Sequence, residues 1–149
     1  MPAVRFYALA EASVSPAGHE SVPAVCAKAC ELTAELYSQK KKSVVLCADQ
    51  AQAEAVDQLL WQLPAARFVP HNLAGEGPNG GAPVEIVWQP QSLPRKQCLI
   101  NVSGKMVNNF NQFQQIIDFV PVEDAAKQQA RERYKQFQQA GCQMQFLPA

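Results

Sequence analysis

The chain has no surplus of either charge. Thirteen Asp and Glu stand against thirteen Lys and Arg, a formal net charge of zero over 149 residues. A protein that holds duplex DNA by its phosphates carries a basic excess, because its affinity comes from neutralising backbone charge. The chain also lacks a long apolar run. Its longest aliphatic stretch, Val44-Val-Leu-Cys-Ala48, is far short of the roughly 20 residues that span a bilayer. Residues 1–10 alternate around Arg5 without the continuous apolar core of a signal peptide. Histidine is scarce, at two residues, and the five cysteines, at 26, 30, 47, 98 and 142, are odd in number and scattered. They form no disulfide framework, which points to a reducing cytoplasm. A zinc site needs about four Cys or His ligands in paired short spacings. Cys26 and Cys30 make one pair, no second pair exists, and His19 and His71 sit in separate loops. The cysteines read better as small buried hydrophobes.

What is present is a 48% hydrophobic composition. It suits a single domain spanning residues 1–149, large enough to bury roughly two-thirds of its unfolded surface. Val4–Leu9 reads as a first strand. Val22, Val25, Ala29, Leu32 and Leu36 recur at spacings of three and four, one face of a helix that Lys40-Lys-Lys42 closes. Ser43–Cys47 is a continuous apolar run, as in a strand buried on both faces. Asp49 is placed to cap a helix carried by Ala53, Val56, Leu59 and Leu60 as far as Trp61. Strand, helix, strand, helix predicts an α/β fold with a mostly parallel central sheet flanked by helices. Further strands are expected at Val84–Trp88 and Cys98–Val102, a short helix at Asn108–Ile117 and an edge strand at Phe119–Pro121. The strongest helix runs from Glu123 to Ala140, stopped by Gly141, and Gln143–Leu147 reads as a last strand.

Six of the eleven prolines and four of the seven glycines fall between residues 64 and 94. That section contains a literal G-x-G-x-x-G at Gly75, Gly77 and Gly80. A dinucleotide loop of this form leaves a strand and opens a helix whose N-terminal amides hold the pyrophosphate. Here Pro70–Ala74 does not read as a strand, Pro78 sits inside the loop, and the loop runs into the β-branched Val84–Val87. Gly81-Ala82 stands where a phosphate loop requires lysine and a hydroxyl residue, and Ser103-Gly-Lys105 lacks the first glycine. His71 has no serine or cysteine nucleophile beside it in sequence, and Glu76 and Glu85 would pair only if the loop folded back. No catalytic residues, cofactor-binding residues or metal ligands are assigned. What remains is a rigid, partly apolar surface suited to docking a partner.

On the last helix, at 100° per residue, Ala126, Ala130 and Phe137 form an apolar stripe. Lys127, Arg131 and Lys135 gather on the neighbouring face, with Tyr134 on the boundary. A solvated face would look similar. The sharper alternative is a pocket for an acidic peptide with an apolar tip. Arginine suits a carboxylate fork, lysines suit flanking aspartates, and an aromatic wall takes the apolar end.

Taken with the middle block, the chain resembles the chi subunit of the bacterial DNA polymerase III holoenzyme. The resemblance rests on Leu60-Trp61, the run Phe68-Val-Pro-His-Asn-Leu-Ala-Gly-Glu-Gly-Pro78, Gly81–Ile86 with Trp88, Asp118-Phe-Val-Pro121, Glu123-Asp124 with Lys127, and Ala130–Lys135 with Gly141. Residues 10–40 and 89–117 carry the least of it. It implies a non-catalytic adaptor on a nucleotide-binding-like fold without a phosphate loop, cytoplasmic and bacterial. The adaptor would pair with the psi subunit, and through psi with the clamp loader. It would also take the acidic C-terminal tail of single-stranded-DNA-binding protein, meeting DNA indirectly and no membrane. Carried over, Trp61, Phe68, Val69, Pro70 and His71 match the psi-facing region. Val120, Lys127, Arg131, Tyr134 and Lys135 match the tail-binding region. Two alternatives belong to other classes: a nucleotide-dependent enzyme on a Rossmann-like fold, which the failed loop disfavours, and a direct single-stranded-DNA binder. The second needs aromatic platforms along a basic groove.

Overall fold

Apolar residues along the strands alternate between two cores, and that alternation fixes the layers. The computed structural model describes residues 1–15, 20–62, 69–74 and 82–149. His19, Phe68, Glu76 and the glycines at 75, 77 and 80 lie outside them. In chain order the elements are β1 (Ala3–Ala8), β2 (Ser13–Val14), β3 (Val22–Pro23), α1 (Ala24–Ser38), β4 (Ser43–Leu46), α2 (Gln50–Gln62), β5 (His71–Leu73), β6 (Val84–Val87), β7 (Cys98–Asn101), β8 (Gln115–Val120), α3 (Asp124–Gln139) and β9 (Gln143–Pro148). Seven strands form one sheet in the order β5-β6-β4-β7-β8-β1-β9, with every pairing in it parallel. The expected α/β fold with a parallel sheet is therefore the observed one. A two-stranded antiparallel ribbon, β2 with β3, stands apart from the sheet.

Successive strand residues face opposite sides. Tyr7, Val45, Cys47, Ile86, Ile100, Ile117 and Phe119 join one core with Ala29, Leu32 and Leu36 of α1 and Ala53, Val56 and Leu60 of α2. Val4, Phe6, Val44, Leu46, Leu99 and Ile116 join the other, under Ala130 and Phe137 of α3. All four residues of β4 are buried, as a strand covered on both faces requires. The Asp49 carboxylate accepts the Gln52 N–H at 2.8 Å, the cap anticipated for α2. Among the described residues no helix is long and apolar enough to cross a membrane.

Three expectations fail here. Asn108–Ile117 is not a helix; a single 3-10 turn at Phe110–Gln112 leads into β8, which spans Gln115–Val120. Phe119–Pro121 is likewise not an edge strand, because β8 pairs with β7 on one side and β1 on the other. The cause is Asp118, a fully buried carboxylate that interrupts an otherwise apolar run and disguises an interior strand. Nor is Pro70–Ala74 devoid of strand: His71–Leu73 forms β5, the short edge strand parallel to β6. The glycine loop does follow a strand, then, but the next described regular element is again a strand, β6, starting at Val84.

Helices α1 and α3 end in the same motif with different residues. After α3, Cys142 donates to the Phe137 carbonyl and Gly141 to that of Gln138, both at 3.1 Å. Gly141 takes φ 92°. After α1, Lys41 donates to Leu36 at 3.0 Å and Lys40 to Tyr37 at 2.9 Å. There a lysine sits at φ 62°, in the left-handed region where a Cβ is strained. Lys40→Gly is expected to raise stability by about 0.5–1 kcal/mol, relief of that strain less the glycine's entropy. Urea unfolding with an unchanged slope reads it; a lower midpoint would count against the assignment.

Candidate functional site

The surface of α3 is set by what lies beneath it. Arg133, one of the four basic residues that follow Asp124 on this helix, is not on the basic face at all. It is buried, at 4% exposure, and grips Asp118 of β8 with two hydrogen bonds: Nε to Oδ2 at 2.9 Å and Nη2 to Oδ1 at 3.0 Å. Its remaining donors reach the Gly104 carbonyl at 2.7 Å and the Phe119 carbonyl at 3.3 Å. Asn101 adds Nδ2 to Asp118 Oδ2 at 3.4 Å and to the Lys105 carbonyl at 2.8 Å. Burial pushes the Asp118 carboxyl up from the ordinary carboxylate range, and Arg133, the Phe119 N–H and Asn101 draw it back. This network fixes the rotation of α3 against the ends of β7 and β8.

With Arg133 turned inward and Ala130 and Phe137 buried beside it, residues at 127, 131, 134 and 135 are left facing out. They line a cleft of about 600 Å³ between α3 and the strand ends. Val120, Lys127, Arg131, Tyr134 and Lys135 all lie on it, so the structure brings together the five residues that the resemblance matched to the tail. It also adds residues that the sequence reading missed: Leu9 just beyond β1, Pro121, and Phe146 of β9. Three cations line the cleft and no carboxylate does. None of the three makes an ion pair among the described residues. Tyr134 is held by an edge-on contact with Phe6, their ring centroids 5.2 Å apart. The cleft thus offers positive charge, apolar walls and a fixed aromatic.

The second surface lies at the other edge of the sheet, on α2 and β5. Trp61 is 58% exposed, and its ring rests on that of His71 at 4.7 Å between centroids. His71 Nδ1 donates to the Val69 carbonyl at 2.7 Å, and Nε2 lies 3.2 Å from the Asp57 carboxylate, one turn before Trp61 on α2. The imidazole is itself covered and held through Nδ1, while Nε2 makes no hydrogen bond, and the ring supports Trp61 from below. Val69 is 1% exposed and belongs to the core; Pro70 is half-buried. Phe68 lies outside the described residues. Because β5 and β9 end the sheet on opposite sides, the two surfaces are about 25–30 Å apart at ordinary strand spacing.

Little in the described residues is arranged for chemistry. No group of three or more His, Cys, Asp or Glu there is placed to hold a metal. All five cysteines are free and buried. Burial pushes the Cys26 thiol up to about 11 and the Cys47 thiol to about 12, far from a neutral-pH nucleophile. Glu85 is paired with Lys96 at 3.3 Å.

Comparison with known proteins shows the family. Over residues 1–145 the chain matches the family described as DNA polymerase III chi subunit, HolC. It is 49% identical over 113 residues to the DNA polymerase III subunit chi of Escherichia coli, covering 75% of this chain and 77% of that protein. The subunit of the same name from Haemophilus influenzae is 45% identical over 114 residues, 76% of this chain and 79% of the other. The crystal structure of T4 UvsW superposes on 98% of this chain with a TM-score of 0.62 at 8% identity, this chain spanning 40% of its length. At that identity the likeness is one of fold.

Proposed function

The chain belongs to the DNA polymerase III chi-subunit family, a replication accessory subunit, and on that premise we propose that it is a two-sided, non-catalytic adaptor in the bacterial cytoplasm. The α3 cleft takes the acidic C-terminal tail of single-stranded-DNA-binding protein. The Trp61 surface takes the psi subunit and, through it, the clamp loader. One observation carries the reading: three cations converge on an apolar-walled cleft that no carboxylate lines. An anionic peptide with an apolar end satisfies both features at once, since aspartates meet the lysines and the terminal carboxylate meets the Arg131 fork. The separation of the two surfaces lets both partners bind together, as a link between clamp loader and coated template demands.

The test is recovery from cytoplasmic extract on immobilised chain, with psi and single-stranded-DNA-binding protein expected and the second lost at high salt. Trp61→Ala should weaken psi binding by about 2 kcal/mol or more, roughly thirtyfold, as for an aromatic anchor at an interface. It should leave tail binding unchanged, read by calorimetry with each partner separately. Equal loss of both partners would argue against two independent surfaces. Salt-sensitive binding of bare oligonucleotide, with no tail binding, would favour the direct DNA reading instead.

A further inference from the structure

The net charge of zero conceals an uneven spread of charge over the domain. Every pairing in the sheet is parallel, so all its strands begin at one end and finish at the other. Past the finishing ends, Glu11, Asp49, Glu123 and Asp124 outnumber Lys105 and Lys127. Before the starting ends stand Lys40, Lys41 and Lys42, ahead of β4, and Arg95, ahead of β7. Arg5 of β1 joins them. With Lys41 and Gln115 it lines both of two shallow hollows, of about 120 and 210 Å³, beside the end of α1. Arg5, Lys41 and Lys42 make no ion pair among the described residues. Glu35 is the one carboxylate lining either hollow. The lysine run is fixed in place. The Lys42 N–H donates to the Gln97 side-chain oxygen at 2.9 Å, and the Lys42 carbonyl accepts the Cys98 N–H at 3.1 Å. From β4 across β7 and β8 to β1 is three strand steps, about 15 Å at ordinary spacing.

We propose that this end of the sheet is a docking surface for the phosphate backbone of duplex DNA, with Arg5, Lys41 and Lys42 as its cations. It stands apart from the tail cleft and does not depend on that reading. The chemistry of the two surfaces differs. The α3 cleft joins cations to apolar walls, whereas here the cations are joined to the side-chain amides of Gln97, Gln114 and Gln115. Amides and cations both donate to phosphate oxygens. The large apolar residues that line the hollows, Leu32, Leu36 and Ile117, are buried, so the apolar end of a peptide finds no wall. Tyr7, the one aromatic lining either hollow, is buried too. A single strand, which needs exposed rings for its bases, gains little there. A duplex keeps its bases stacked and offers the denser row of charge. Such contact reads no sequence.

Fluorescence anisotropy with a short labelled duplex, over a series of salt concentrations, tests it. The wild-type chain is expected to bind saturably at low salt, with log affinity falling against log salt at a slope of about −3, as three neutralised phosphates require. Arg5→Gln with Lys41→Gln should bring the slope to about −1 and weaken binding by about tenfold or more at low salt. Affinity for the acidic tail peptide should not change. Lys42→Gln, an exposed side chain whose backbone makes the fixed contacts, should alone lower the slope by about 1; it serves should the double variant melt early. Lys127→Gln, in the α3 cleft, should leave duplex binding as it is. No duplex binding at low salt, or an unchanged slope in the Arg5, Lys41 and Lys42 variants, would overturn the proposal. So would tighter binding of a single strand, or displacement of the duplex by the tail peptide, which would place both ligands on α3. Tail affinity is read separately, so the loss of either reading leaves the other to stand on its own result.

Discussion

Arg133→Ala is expected to destabilise the domain by about 3–5 kcal/mol, the cost of leaving one partner of a buried ion pair alone. Asp118 would then keep only the Asn101 amide and the Phe119 N–H, in a site with no access to water. Domains of this size have about 5–15 kcal/mol in total, so the variant should unfold at much lower urea. Replacing both partners with apolar residues of similar volume, Asp118→Leu with Arg133→Met, should recover much of the loss, because the pair's own desolvation cost vanishes with it. A loss below about 1 kcal/mol for the single variant would mean that the network is not what holds α3 in place.

Arg131→Ala acts on the partner instead of the fold. Arg131 is exposed on the cleft, so its removal should leave the unfolding free energy within about 0.5 kcal/mol of the parent. A charge-assisted contact is worth about 1.5–3 kcal/mol. Affinity for the tail should fall by about one to two orders of magnitude, and the affinity of the parent should itself decline as salt screens the solvent-accessible cations. Calorimetry at low and high salt reads both. Wild-type affinity in the variant would remove Arg131 from the site.

Most of the fold was legible because its strands and helices carry their periods openly. Val44 to Leu46 read as a doubly buried strand, and the caps at Asp49 and Gly141 marked helix boundaries that the structure keeps. What was illegible had specific causes. β5 is three residues long and follows a proline, too little for an alternation to show. β8 was hidden by the charge at Asp118, whose partner lies on another element. That partner did leave a signal: Ala126, Ala130, Arg133 and Phe137 are spaced four, three and four apart, one continuous helix face. The position of Arg133 within an apolar stripe, not its charge, gave its role. Of the four basic residues that follow Asp124, only three therefore remain for the surface of α3. The cleft's cations were visible as a helical repeat at 127, 131 and 135. Phe146 was not, since nothing local says that an edge-strand residue will face a helix seven residues back in the chain.

The measurement that bears most directly on the account is a map of amide chemical shifts as a tail peptide of single-stranded-DNA-binding protein is titrated into the labelled chain. The account predicts saturable changes at Val120, Lys127, Arg131, Tyr134 and Phe146, reversed by high salt, with Trp61 and His71 unmoved. Changes centred on Trp61, or none anywhere at millimolar peptide, would contradict it.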